Sequence, residues 1–290
     1  MIENIGIVGA GQMGTGIAHV CIMSGYKVFL SDISEKILKK SLATIDRNME
    51  RQVARNKMMP QEKEEAIQHL QTCVDLEGLK DCHLVIEAAP ENEDIKKSIL
   101  KKLSPILAPQ CLLASNTSSI SITALAGATD KPDKFIGMHF MNPVPVMQLV
   151  ELIRGIATSN ATFHAAQEVV KKLGKQSTVS EDYPGFIVNR ILMPMINEAV
   201  YALFEGVGTI ESIDKGMRLG ANHPMGPLEL ADLIGLDTCV FIMEVLYQSH
   251  GGSKYKPCPL LVKYVEAGWL GRKTDRGFYD YKGEQPIPTR

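Results

Sequence analysis

The sequence predicts an α/β chain, with a doubly wound, mostly parallel sheet over residues 1–183 and a smaller all-α domain over residues 184–290. Three observations carry this expectation. Residues 5–32 read as a buried strand, a glycine turn, a helix and a second strand ending in a carboxylate. Short apolar runs then alternate with helical periodicity, the pattern of strand–helix–strand units. From Pro184-Gly185 onward that alternation stops and only helical periodicity remains. At about 150 residues per domain, 290 residues accommodate two.

In the first unit Ile5-Gly6-Ile7-Val8 is the strand, and Gly9-Ala10-Gly11-Gln12-Met13-Gly14 the turn and helix entry. Gly9 permits the tight turn, Gly11 lets the backbone approach a pyrophosphate, and Gly14 lets the helix pack close to the strand. Unpaired N–H groups and the dipole at the helix start favour the phosphates. Asp32 lies 18 residues beyond Gly14, where a carboxylate hydrogen-bonds an adenosine ribose. This is the Rossmann-type arrangement. Its cofactor is expected to be NAD, because Asp32 repels a 2′-phosphate and Ile33-Ser34 supplies no arginine.

A helical insertion follows over about residues 34–71. Ser34 serves as N-cap, with Ile37, Leu38, Leu42, Ile45 and Met49 at helical spacing behind it. The first helix is expected to reach about residue 56, and Pro60 opens a second to about residue 70. Arg47, Arg51 and Arg55 are successive i, i+4 neighbours and form a cationic stripe. A solvated face and a docking surface for a polyanionic carrier both fit that stripe.

The chain then reads as strands at 83–89, 111–115, 135–140 and 147–153, with helices at 91–103 and 162–173. Ligands of such a sheet bind beyond the carboxyl ends of its strands, where Asn116, Ser118, His139 and Asn142 fall. The domain boundary is expected at 182–185. Helices follow at 186–204, 210–219, 227–249 and 259–267, with a kink or local break at Pro194. Apolar residues cover more than one stripe of both long helices, so a second face is buried, against a subunit or another domain.

The net charge of −2 excludes a global pull toward nucleic acid or an anionic membrane. The six cysteines form no C-x-x-C pair and read as reduced thiols, not as a disulfide frame or metal site. The first strand begins by about residue 2, so no leader peptide is expected. The most apolar segment, 186–204, carries Asn189, Arg190, Asn197 and Glu198, a poor membrane span. A cytoplasmic location is expected.

Most of the seven histidines stand in helices or beside glycines, but His139 ends a buried strand on the cofactor side. Glu151 is an odd charge inside Leu149-Val150-Glu151-Leu152-Ile153, and a carboxylate there needs a partner. A lysine or arginine would satisfy it. So would the His139 imidazole, which it would hold in one orientation. Asn189, among apolar neighbours, suits a substrate oxygen or a cap within a core. These groups fit alcohol oxidation, in which a base takes the hydroxyl proton as hydride leaves the same carbon.

At these residues the whole chain resembles the L-3-hydroxyacyl-CoA dehydrogenases. The resemblance runs through Gly9 to Gly14, Val85-Ile86-Glu87-Ala88, Ala114 to Ser119 and Gly137-Met138-His139-Phe140-Met141-Asn142-Pro143. It continues in Pro184 to Arg190, His223-Pro224-Met225-Gly226-Pro227 and Gly271 to Tyr279. It implies that His139 is the general acid/base and Glu151 its orienting carboxylate. Ser118 and Asn189 would fix the reacting oxygens, with Asn116 from the same loop. Glu91, Lys96, Asn142 and Lys273 match positions near the nicotinamide cofactor. Asn48 and Arg55 stand where members use serine and lysine toward CoA, with Arg51 between them. The resemblance also implies an acyl-CoA substrate and a homodimer through the helical domain. The expected reaction is (3S)-3-hydroxyacyl-CoA to 3-oxoacyl-CoA with NAD, on a short chain; 3-hydroxyadipyl-CoA and gulonate are alternative substrates for the same chemistry.

Overall fold

The computed structural model describes residues 2–290. The chain divides into two compact units, the first ending at Tyr183 and the second spanning Pro184–Arg290.

The first unit is an eight-stranded sheet in the order β3-β2-β1-β4-β5-β6-β7-β8. Its strands are β1 (Asn4–Val8), β2 (Lys27–Ser31), β3 (Leu70–Cys73), β4 (Leu84–Glu87), β5 (Leu112–Ser115), β6 (Phe135–Phe140), β7 (Leu149–Arg154) and β8 (Gln176–Glu181). All pairings are parallel except β6 with β7. The order reverses direction at β1, which lies between β2 and β4, and this is where a doubly wound sheet opens its ligand crevice.

Helices α1 (Gln12–Met23) and α6 (Asn160–Lys172) share one apolar cluster with Ile7, Leu30, Ile86, Met138 and Leu152. Side chains alternate along a strand, so Gly137 looks to the other face. There a Cβ on Gly137 would lie 2.8 Å from Ile122, in the short helix α5 (Ile122–Ala126). Helix α4 (Glu93–Leu103) is N-capped by Asn92, whose side chain accepts from the Ile95 N–H.

Two strands depart from the sequence reading. β3 and β8 are the two edges of the sheet, and their sequences, LQTC and QSTVSE, lack the apolar run that marks a strand buried on both faces. β3 also takes the end of the insertion expected to be helical: α2 (Glu35–Ala54) stops before residue 56, and α3 (Pro60–Gln68) before residue 70.

The second unit is helical: α7 (Val188–Phe204), α8 (Ile210–Gly220), α9 (Pro227–Ile234), α10 (Leu236–His250) and α11 (Pro259–Glu266), with a two-stranded ribbon near the end. α7 carries Pro194 inside one continuous helix rather than in a break. The single helix expected over 227–249 is two, because Gly235 at φ 103° cannot continue α9. Buried Asp232 fastens the C-terminal segment by accepting from the N–H groups of Phe278 and Tyr279 and the Tyr281 hydroxyl, each at 2.9 Å. Burial still pushes its carboxyl up to about 6. Among the described residues no helix is long and apolar enough to cross a membrane.

Candidate active site

The dinucleotide end of the first unit rests on three glycines with separate tasks. Gly9 has φ 99°, and a Cβ there would meet the Ala88 carbonyl oxygen at 2.6 Å. A Cβ on Gly14 would lie 1.8 Å from the Gly9 carbonyl oxygen, so the turn and helix pack too closely for any side chain. A Cβ on Gly11 would meet nothing within 4 Å, so at that point the backbone is open to approach. Gly11 is also the N-cap of α1, with no side chain satisfying its first N–H groups and no acid in its first turn. That end therefore keeps its full attraction for an anion. Met13 packs against the core, which leaves its backbone for a ligand.

Asp32 stands at the end of β2 and faces the turn. Its carboxylate accepts from the Ala10 N–H at 2.9 Å and the Ser34 N–H at 3.0 Å. An ionised carboxylate accepts more than one bond per oxygen, so acceptor capacity remains for a ribose diol. An open glycine cradle, an uncapped helix start and this carboxylate together fit NAD.

Beside the turn lies a cleft of about 500 Å³ that gathers Ala10, Gly11, Gln12, Asn48 and Asn142 of the expected ligands. Gln12 donates to the Asn142 side-chain oxygen at 3.1 Å. Arg51 is exposed farther along α2, past Asn48, and Arg55 is exposed at its C-cap. The cleft is also lined by a group the sequence reading set aside, His19. Its ring is buried, Nδ1 finds no hydrogen-bond partner among the described residues, and Nε2 lies 3.4 Å from the Gln52 amide. Burial lowers its pKa from 6.5 to about 4. The folded chain thus keeps the ring neutral where the unfolded chain binds a proton, so stability is lost as pH falls from about 6.5 toward 4. Between pH 7 and 4.5 the wild type should lose about 2–3 kcal/mol more than His19→Gln in urea unfolding. Parallel losses in the two proteins would exclude this contribution.

The loop after β5 is wrapped around a carboxylate. Glu91 Oε1 accepts from Thr117 Oγ1 at 2.6 Å, the Ser118 and Ser119 N–H groups at 2.8 and 3.1 Å, and the Ser118 and Ser119 hydroxyls at 3.2 and 3.0 Å. Burial alone would raise the Glu91 carboxyl. The Lys96 charge and these hydrogen bonds outweigh it and hold the group below its ordinary range. Lys96 was expected at the cofactor, but it is buried and its three donors end on Glu87 Oε1 and Oε2 and the Ala89 carbonyl, at 2.7, 3.0 and 3.1 Å. It thereby ties α4 to β4. Glu87 also accepts from Ser115 Oγ at 2.6 Å. Asn116 makes a similar tie within the chain. Its side-chain oxygen accepts from the Phe140 N–H at 2.9 Å, which straps the end of β5 to β6 beside His139.

His139 and Glu151 face each other in register across the antiparallel β6/β7 pair. Met138, Phe140, Val150 and Leu152 feed the α1/α6 cluster, so alternation sends His139 and Glu151 together to the opposite face. Nδ1 of His139 lies 2.8 Å from Glu151 Oε2, with the histidine 7% exposed and the glutamate 0%. A carboxylate holding one ring nitrogen fixes the tautomer and the orientation of the ring.

The comparisons with known proteins decide the family. The model for the 3-hydroxyacyl-CoA dehydrogenase NAD binding domain matches residues 4–183, and that for the C-terminal domain of the same enzymes matches residues 185–281. The chain belongs to the 3-hydroxyacyl-CoA dehydrogenase family. It is an oxidoreductase whose first unit is the NAD-binding domain. It is 60% identical over 290 residues to the 3-hydroxybutyryl-CoA dehydrogenase of Bradyrhizobium diazoefficiens, covering 100% of this chain and 99% of the relative. The corresponding enzyme of Clostridioides difficile is 48% identical over 277 residues, 96% of this chain and 99% of its own. The crystal structure of (S)-3-hydroxybutyryl-CoA dehydrogenase from Ralstonia eutropha superposes with a TM-score of 0.94 at 49% identity, covering 98% of this chain and 100% of that one.

Within the second unit, Asn189 is buried in the first turn of α7, and Lys273 forms an ion pair with Asp237 near the Gly235 break. Sequence reasoning gave no role to Glu87 or His19 and did not join Glu91 to the Ser118 loop. For Glu87 the signal was present, since it ends Leu84-Val85-Ile86-Glu87 as Glu151 interrupts its own apolar run.

Proposed function

We propose that this family member oxidises (3S)-3-hydroxybutyryl-CoA reversibly to acetoacetyl-CoA. The supporting observation is the buried His139–Glu151 pair at the carboxyl end of a strand in the sheet that carries the glycine cradle. The names of the 60% and 48% identical relatives favour the four-carbon acyl group.

His139 Nδ1–H donates a hydrogen bond to Glu151, and Nε2 takes the proton of the substrate hydroxyl. NAD, when bound, accepts the hydride that leaves C3. The C–H and O–H bonds break and the carbonyl forms, so two electrons and one proton leave with the hydride and the second proton stays on the imidazole. Glu151 offsets the positive charge developing on the ring. Ser118 hydrogen-bonds a reacting oxygen, and Asn48, Arg51 and Arg55 meet the CoA phosphates.

The test is reduced nicotinamide, followed by its near-ultraviolet absorbance, with 3-hydroxybutyryl-CoA against 3-hydroxyadipyl-CoA and gulonate. The four-carbon thioester should lead by about tenfold or more in kcat/KM, as pocket discrimination allows. A reversed order would reassign the substrate. Arg51→Glu with Arg55→Glu should raise KM for the thioester and leave that for NAD alone. The reading includes a homodimer through residues 184–290, supported by exposed Ile191, Phe204 and Phe241, and checked by solution mass. Six unpaired cysteines support a reducing, cytoplasmic setting.

A further inference from the structure

The loop that follows the His139 strand has a geometry the ladder does not explain. Pro143 uses its carbonyl for both the Val146 and Met147 N–H groups at 3.0 Å, closing a turn. That leaves the carbonyls of Val144 and Met147 pointing away from the turn, and one ammonium meets both. Lys175 Nζ donates to the Val144 oxygen at 2.7 Å and to the Met147 oxygen at 2.6 Å. Lys175 lies between α6 and β8, 31 and 28 residues from its acceptors. Burial pulls its ammonium below the ordinary lysine range. Holding the charge there costs desolvation, which these two short bonds offset.

The far side of the same turn forms the cofactor cleft. Asn142, Pro143, Val144 and Pro145 line it together with Gly11 and Gln12. Val144 is 2% exposed, and a Cβ on Gly16 of α1 would lie 2.8 Å from its Cβ, so this turn sits directly on the phosphate-facing helix. Asn142 meets the Gln12 side chain at its other end. A displacement of Val144 or Asn142 would therefore change the cleft beside the glycine turn.

We propose that Lys175 is a positioning residue for the dinucleotide, fixing the 142–147 turn against α1 by bridging the carbonyls of Val144 and Met147. The proposal rests on the dehydrogenase reading above. Lysine reaches these carbonyls with separate N–H bonds, and arginine supplies the same donors from a fork. Methionine keeps the apolar stem and removes both bonds.

The experiment is NADH titration by fluorescence on the full chain, with steady-state kinetics beside it. Lys175→Met should weaken NADH binding about tenfold, the worth of one charge-assisted hydrogen bond. Its kcat at saturating cofactor should fall by less than the dissociation constant rises. Lys175→Arg should bind within about threefold of wild type, and Lys175→Gln should fall between. Val144→Ala loosens the same turn from the other side, so its effect and that of Lys175→Met should be less than additive in the double variant. Unchanged NADH affinity in Lys175→Met overturns the proposal. So do equal losses in the arginine and methionine variants, which would mark a merely structural site, and additivity with Val144→Ala. A wild-type chain that fails to bind NADH sinks the dehydrogenase reading itself, and this proposal with it.

Discussion

His139→Gln lowers kcat for 3-hydroxybutyryl-CoA by about 10²–10⁴-fold, the usual worth of general acid–base help, while NADH affinity stays within a few-fold. The split between rate and binding follows from where the residue sits. The imidazole is on β6, whereas the features that fit the dinucleotide are the Gly9–Gly14 turn and Asp32. Glutamine preserves the volume and a polar tip on a strand whose every residue is buried, so β6 need not repack. Glu151→Gln should cost less. An amide oxygen still accepts from Nδ1–H and holds the tautomer, but it no longer carries the charge that offsets a protonated ring. Glu151→Ala removes both and should approach the loss in His139→Gln. Pre-steady-state reduction of NAD separates the chemical step from product release. If His139→Gln forms NADH in the first turnover as fast as wild type, another group is the base.

What could be read from the chain follows a physical pattern. β1, α1 and β2 were legible because buried parallel strands need unbroken apolar runs and the turn between them needs glycine at fixed positions. β6 was legible for the same reason, and Glu151 stood out because its strand is apolar around it. The two edge strands were not. β3 and β8 each pair on one side only, with polar residues that water also satisfies, so their sequences resemble loops. Asn116 and Lys96 were placed near the right end of the sheet, but their partners within the chain were not foreseen. Their acceptors and donors are backbone groups and a carboxylate that arrive only when the sheet assembles, the Phe140 N–H from 24 residues away and Glu87 from nine. Gly235 shows a local version of the limit. A glycine inside a helical pattern is tolerated or terminating according to its φ, which periodicity does not encode.

The largest loss of stability is expected at the buried pair beneath the Ser118 loop. Lys96 and Glu87 are 2.7 Å apart with side chains 1% exposed, and Lys96 also lies 3.5 Å from Glu91 Oε2. Lys96→Met leaves two carboxylates facing each other without their cation, and breaking such a pair by removing one partner costs about 3–5 kcal/mol. Adding Glu87→Gln removes one of the stranded charges, so the double variant should recover part of the loss even though it lacks both original partners. The pH dependence identifies the cause. Glu91 is held below its ordinary range in the folded chain, so its contribution is full above the unfolded carboxyl value and is lost as pH falls through the lower, folded one. Without Lys96 that advantage shrinks. The deficit of Lys96→Met should therefore be greatest near neutrality and smaller at about pH 4, where glutamates begin to protonate. Because Glu91 holds Ser118 by both its N–H and its hydroxyl, kcat should fall with stability. Urea unfolding of the four-member cycle at the two pH values measures this. A pH-independent deficit, or a double variant worse than Lys96→Met alone, would mean that packing of the lysine stem and not its charge holds the loop.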